Sequence, residues 1–128
     1  DKVLAATGGE GVDLVIDQVS APTINRTLAA TKIKGRIVNV GRLGGNRGEF
    51  DFDLHAARRI DYVGVTFRSR TLAEIRDIFA AVRADIWPQV ASGQLALPID
   101  KVFAFADIAQ AYAHMEANRH FGKIVVTM

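Results

Sequence analysis

The sequence predicts an α/β protein built on a parallel sheet, and three observations carry that prediction. An apolar run over residues 12–19 is bounded upstream by Gly8-Gly9-Glu10-Gly11 and downstream by Ser20-Ala21-Pro22, which marks a buried strand. Directly behind it, Ile24, Leu28 and Ala29 repeat at helical spacing. Then comes Arg36-Ile37-Val38-Asn39-Val40, rich in β-branched residues and stopped by Gly41. A strand, a short helix and a second strand form a βαβ unit, whose crossover returns the chain to the same end of the sheet and makes the strands parallel.

Ser20 is placed to cap the first helix, with Pro22 tolerated in its first turn, and the helix is expected to run to about Thr31. Lys32-Ile33-Lys34-Gly35 reads as a basic turn before the second strand. Residues 41–48 form a loop of glycine, arginine and asparagine, and Phe50-Asp51-Phe52-Asp53-Leu54 is either extended or the start of a brief helix through Ala57. Residues 60–67 read as a third strand. Thr71-Leu72-Ala73-Glu74 is a capping box, in which the Thr hydroxyl and the Glu carboxylate each accept from the other residue's backbone amide. It opens a long helix whose apolar stripe, Leu72, Ile75, Phe79, Val82, Ile86 and Val90, is expected to pack into the core. Pro88 lacks a backbone donor and is expected to kink or split that helix, and Gly93 ends it. Residues 97–103 read as extended, Ile108, Ala111, Tyr112 and Met115 as helical, and residues 122–127 as a last strand, giving a strand-helix-strand tail. The expected organisation is therefore a partial parallel-sheet domain over residues 1–93 and a tail over 94–128.

Composition removes several function classes. Sixteen Lys and Arg against fourteen Asp and Glu leave a net charge of only +2, and the aromatics do not interleave with basic residues, so nucleic acid is not an expected partner. The chain has no Cys, hence no disulfide, thiolate zinc site or cysteine nucleophile. No apolar run reaches the roughly 20 residues that span a bilayer, and the first ten residues lack a basic region followed by an apolar one, so the expected location is cytoplasmic, with no membrane partner. Without export, the Asn25-Arg26-Thr27 sequon carries no weight. Ser20, Ser69 and Ser92 sit in no nucleophile elbow, and His55, His114 and His120 lack the spacing of a helical metal pair. Asp17, at the end of a buried strand, is expected to accept backbone hydrogen bonds in a turn and not to act as a base.

In an open parallel sheet, ligands bind outside the carboxyl ends of the strands. Three such ends are present, at Val19-Ser20, Gly41-Arg42-Leu43 and Thr66-Phe67-Arg68, but no Gly-x-Gly-x-x-Gly turn joins a strand to a helix. The pattern reads as the second half of a six-stranded dinucleotide-binding fold plus a tail.

Four segments carry a resemblance. Gly11-Val12-Asp13-Leu14-Val15-Ile16-Asp17, Lys34-Gly35-Arg36-Ile37-Val38-Asn39-Val40-Gly41, Thr66-Phe67-Arg68-Ser69-Arg70, and Met115-Glu116-Ala117-Asn118 with Gly122-Lys123-Ile124-Val125 follow one another as landmarks of the medium-chain dehydrogenase/reductase superfamily. Its zinc-binding dehydrogenase C-terminal region is the part resembled, most closely that of the NADPH-dependent quinone oxidoreductases. The resemblance implies a Rossmann-like half-sheet with the cofactor across its carboxyl edge. Val19 and Ser20 would line the ribose side, Gly41, Arg42 and Leu43 would approach the nicotinamide, Phe67, Arg68 and Ser69 would close over it, and Lys123 would reach it from the tail. It further implies NADPH as cofactor, a small quinone or activated enone as hydride acceptor, and no catalytic side chain, since the cofactor supplies the hydride. Gly41 can equally be the turn that ends its strand; the cofactor reading expects Gly41→Val to abolish dinucleotide binding with little change in melting temperature. The chain alone is not expected to be active. Homodimerisation, or association with the missing N-terminal half, would cover its exposed sheet edge. A non-catalytic α/β association module and part of a zinc-dependent alcohol dehydrogenase remain alternatives.

Overall fold

A computed structural model describes residues 2–128. The chain divides into two compact units, one through Arg70 and the other Thr71–Met128. This division lies ahead of the long helix, whereas the expected organisation by function divides the chain after residue 93.

The first unit comprises α1 (Lys2–Ala6), β1 (Val12–Asp17), α2 (Ile24–Ala30), β2 (Thr31–Asn39), α3 (Phe52–Arg58) and β3 (Asp61–Gly64). Its sheet has the order β1-β2-β3, all parallel. Side chains alternate along each strand, so Val15, Ile37 and Tyr62, aligned by register, share one face. On that face Ile24 and Leu28 of α2 pack with Ile37 and Ile60, and Val15, Phe50 and Leu54 adjoin them. The opposite face is open: Leu14 and Ile16 are 55% and 56% exposed, and Arg36 pairs with Asp61 at 3.0 Å. The expectation of a buried strand at residues 12–19 thus holds for one face only, because α2 and α3 both pack on the same side.

Several local expectations are corrected. β1 stops at Asp17, whose carboxylate turns the chain by accepting from the amides of Val19 (2.9 Å) and Ser20 (3.0 Å). Ser20 does not cap α2: it adopts φ 68° and directs its hydroxyl elsewhere, while Thr23 holds the cap position without a side-chain capping bond, its hydroxyl donating to Ser20 O at 3.1 Å. Lys32-Ile33-Lys34-Gly35 is not a connector but a bulge inside β2, since Val12 aligns with Thr31 and Leu14 already with Arg36. Lys34 takes φ 63° to make it. Of the two readings of residues 50–54, the helix is found, capped by Asp51, whose side chain accepts from Leu54 N at 2.8 Å. The predicted third strand shortens to four residues, and α1 was not predicted at all.

The second unit comprises α4 (Leu72–Asp85), α5 (Trp87–Ala91), β4 (Ile99–Ala104), a 3-10 turn (Phe105–Asp107), α6 (Ile108–Glu116) and β5 (Lys123–Thr127). The capping box is present, with Thr71 N donating to Glu74 Oε2 at 2.7 Å and Glu74 N to Thr71 Oγ1 at 3.3 Å. Pro88 falls in the first turn of α5, so the helix splits at Ile86 as the missing donor requires. The tail is a second βαβ unit, with β4 and β5 parallel and Phe103 and Ala111 buried. Gly122 (φ 114°) sits where a Cβ would strike the Pro98 carbonyl, the same oxygen that accepts from Lys123 N at 2.8 Å. The stripe along α4 is not core: Leu72 is 71% and Phe79 57% exposed, with only Ile75 and Val82 half-buried. Helical periodicity identifies a face meant to be covered without identifying the cover.

Candidate functional site

Parallel register brings Asp17, Asn39 and Gly64, the last residues of β1, β2 and β3, side by side. Two of the loops that follow are laced together. The Asp17 carbonyl accepts from Val40 N (2.8 Å) and Gly41 N (3.0 Å), Leu43 N donates to Gln18 O (3.1 Å), and Gly44 N to Val19 O (2.9 Å). Beneath them the Asn39 side-chain amide donates to Ser20 Oγ, to Gly41 O (3.3 Å) and to Asp17 Oδ2 (3.4 Å), and Ser20 Oγ donates to Gly41 O (2.7 Å). Asp17, Ser20 and Asn39 are all buried, where polar groups need such partners. The third loop joins through Val65 N, which donates to Asn39 O (3.1 Å), and through Arg42, whose two terminal nitrogens each lie 3.4 Å from Val65 O.

Beside this crest lies a cavity of about 160 Å³, lined by Ser20, Asn39, Arg42, Asn46, Phe50 and Tyr62 among others. Phe50 and Tyr62 meet edge-on, with ring centroids 5.9 Å apart. Partial burial pushes the Tyr62 hydroxyl above its ordinary pKa, the Asp17 carboxylate adds to this, and Arg42 opposes it. The phenol is therefore a neutral donor near neutrality. Ligand pockets of a few hundred Å³ and more hold whole drug-sized molecules. This one matches a single substituted ring in size, is lined by amide, hydroxyl, guanidinium and aromatic groups, and is too small for a whole dinucleotide.

The structure brings together Val19, Ser20, Gly41, Arg42 and Leu43. Leu43 is 87% exposed and Val19 38%, so both face outward from the crest. Phe67, Arg68 and Ser69 form the exposed turn after β3, where Arg68 N donates to Thr66 Oγ1 at 3.2 Å and Arg70 Nε to Thr66 O at 3.0 Å. Lys123 belongs to the second unit, at the start of β5, with its side chain exposed. For Gly41 the strand-end reading has direct support: a Cβ there would lie 2.5 Å from Gln18 Oε1 and 2.6 Å from Gln18 O. The expectation that Gly41→Val changes the melting temperature little is accordingly corrected. Sequence reasoning missed Asn39, Phe50 and Tyr62. The signal for Asn39 was an amide inside an apolar strand, which requires buried partners.

In the second unit, His114 Nε2 lies 2.7 Å from Asp100 Oδ2, and Phe121 N donates to Asp100 Oδ1 at 3.1 Å. These bonds join β4, α6 and the turn before β5. Among the described residues, no group of three or more His, Asp or Glu is placed to hold a metal ion, and no helix is long and apolar enough to cross a membrane.

Comparisons agree with this architecture. The family model described as zinc-binding dehydrogenase matches residues 1–126. A low-reducing polyketide synthase, drtA of Aspergillus calidoustus, is 29% identical over 99% of this chain. The chain spans only 5% of that synthase's length. Among solved structures, an NAD-dependent alcohol dehydrogenase is 28% identical with a TM-score of 0.75, over 99% of this chain and 34% of that one. The CurK enoyl reductase is 27% identical with a TM-score of 0.69, over 99% of this chain and 37% of that one. The parallel half-sheet corresponds to the Rossmann-like cofactor-binding half of such enzymes, and the chain belongs to the zinc-binding dehydrogenase family of medium-chain dehydrogenases/reductases.

Proposed function

We propose that this chain forms the nicotinamide-facing part of a reductase that uses NADPH to reduce a small activated double bond, an enone or a quinone. The observation that carries the reading is the laced crest at the carboxyl ends of three parallel strands, the position at which α/β sheets bind their ligands. Likeness to an enoyl reductase and to reducing polyketide synthases favours a carbonyl-conjugated alkene over a quinone. When bound, the reduced nicotinamide supplies a hydride to the acceptor's electron-poor carbon, and solvent supplies the balancing proton. The chain's own residues hold and screen. Val19, Leu43 and Phe67 offer apolar surface that excludes water from the ring, and Arg42, anchored on Val65 O, gives a fixed cation at the crest. Arg68 and Ser69 lie exposed in the last loop, where a guanidinium can take a phosphate, and Lys123 is assigned the same role from the tail. Ser20 and Gly41 serve differently from the expectation: the Ser20 hydroxyl and the Gly41 carbonyl are already engaged with each other, so they shape the crest.

Residues 1–93 are assigned to the cofactor domain and 94–128 to a tail that returns toward the substrate domain. The free edge of the sheet at β1 is assigned as the surface covered by further reductase polypeptide or a second copy. The test is isotope transfer. A polypeptide carrying this chain, given NADPH deuterated at the transferable C4 position and an α,β-unsaturated ketone, should place deuterium on the β-carbon. Saturable NADPH binding with no transfer to either enone or quinone would refute the reductase reading.

A further inference from the structure

We infer that Asn39 is the positioning residue of the crest: its side-chain amide holds Ser20, and through Ser20 the Gly41 carbonyl, so that the loops bearing Val19 and Leu43 keep one relation to each other. The inference rests on the nicotinamide reading above, because that reading gives the crest its ligand.

Asn39 is 5% exposed at the end of β2, in register between Asp17 and Gly64. Its Nδ2 faces three oxygens, Ser20 Oγ, Gly41 O and Asp17 Oδ2. Two amide protons serve three acceptors, and no other side chain of this length offers two neutral donor protons there. Ser20 shows what the amide restrains. A non-glycine residue at φ 68° is sparsely populated and persists where the surroundings over-determine it. Here they do so through one hydroxyl that accepts from Asn39 and donates to Gly41 O at 2.7 Å. The same turn is closed from below by the Asp17 carboxylate, which accepts from the Ser20 amide at 3.0 Å. Asp17 and Asn39, the last residues of two strands, and Ser20 in the turn after the first thus act as one unit. None needs to touch the cofactor, and the outward residues take their positions from this unit.

Asn39→Asp separates a donor from a space-filling group, since the two side chains are isosteric and the ionised carboxylate has no proton to give. In the 128-residue chain, protection of the Ser20, Gly41 and Leu43 amides against hydrogen exchange, corrected for intrinsic rates, should fall about tenfold at about pH 8. Amides of α4 should keep theirs. NADPH affinity, read from amide shifts on titration, should also weaken about tenfold. Both losses should reverse toward about pH 5, because burial and the Asp17 carboxylate beside it raise the introduced carboxyl above the ordinary range, so that it regains a proton and becomes a donor, a recovery the parent chain does not show. If the variant does not fold, Ser20→Gly decides: glycine accepts the positive φ but removes the hydroxyl, and should expose the Gly41 and Leu43 amides alone. Unchanged protection, or losses without pH recovery, would overturn the inference. A parent chain that shows no NADPH-induced shifts would overturn the nicotinamide reading, and the exchange result would then still decide whether Asn39 fixes the crest.

Discussion

Replacing Gly41 with alanine places a methyl carbon 2.5 Å from Gln18 Oε1, 2.6 Å from Gln18 O and 3.0 Å from Gln18 Cα. The side-chain oxygen can swing away, but the carbonyl and Cα are backbone and move only if the turn after β1 moves. That turn is held by the bonds from Val40 and Gly41 to Asp17 O and from Leu43 to Gln18 O, so displacement strains all three. Overpacking of this kind costs about 1–3 kcal/mol, and a weakened buried hydrogen bond about 1 more. For a unit of about 70 residues, each kcal/mol is roughly 4–8 °C of melting temperature, so Gly41→Ala should lower it by roughly 8–32 °C. Gly41→Val should do worse. Thermal and urea unfolding followed by circular dichroism read the effect directly. A Gly41→Ala variant within about 0.5 kcal/mol of the parent would show that the close approach does not constrain the loop, and the structural role assigned to Gly41 would fail.

Other perturbations test separate parts of the structure. Leu28→Ala, at a site with no exposure, should cost about 2–5 kcal/mol in urea unfolding, while Leu14→Gln on the open face should change stability by less than about 0.5 kcal/mol. Thr71→Ala removes the capping-box hydroxyl and should cost the second unit about 1 kcal/mol. The His114 ring, then the Phe121 amide, hold the Asp100 carboxyl below its ordinary pKa. Its contribution is therefore fully present above the unfolded-state value and lost as pH falls through the lowered folded-state value. Asp100→Asn should flatten that acid limb in a pH series of unfolding midpoints, and an unchanged limb would contradict the pairing.

Much of the fold could be read from the sequence because its signals are local. The run from Val12 to Asp17, the Thr71–Glu74 box and the Pro88 split each depend on residues within a turn or two, and each is found. Where the reading failed, a distant partner decided. Ser20 looks like a helix cap until Asn39, at the end of another strand, and Gly41, in the loop after it, claim its hydroxyl. Lys32-Ile33-Lys34-Gly35 has turn composition, yet pairing of β1 with β2 absorbs it as a bulge. Exposure of Phe79 and Ile16 is likewise invisible in periodicity, which marks an apolar face but not what lies against it. For the site, the strand ends could be named from the sequence, but the lacing that separates inward Ser20 from outward Leu43 needed the register of the sheet.

The most direct test of a nicotinamide site on this crest is to titrate NADPH, and separately NADH, into the isotopically labelled chain and follow its amide resonances. The account expects saturable shifts concentrated at Val19, Arg42 and Leu43, and loss of those shifts in Leu43→Asp with an unchanged melting temperature, since Leu43 is 87% exposed and contributes little to folding. Shifts that avoid the strand ends, or that survive Leu43→Asp undiminished, would contradict it.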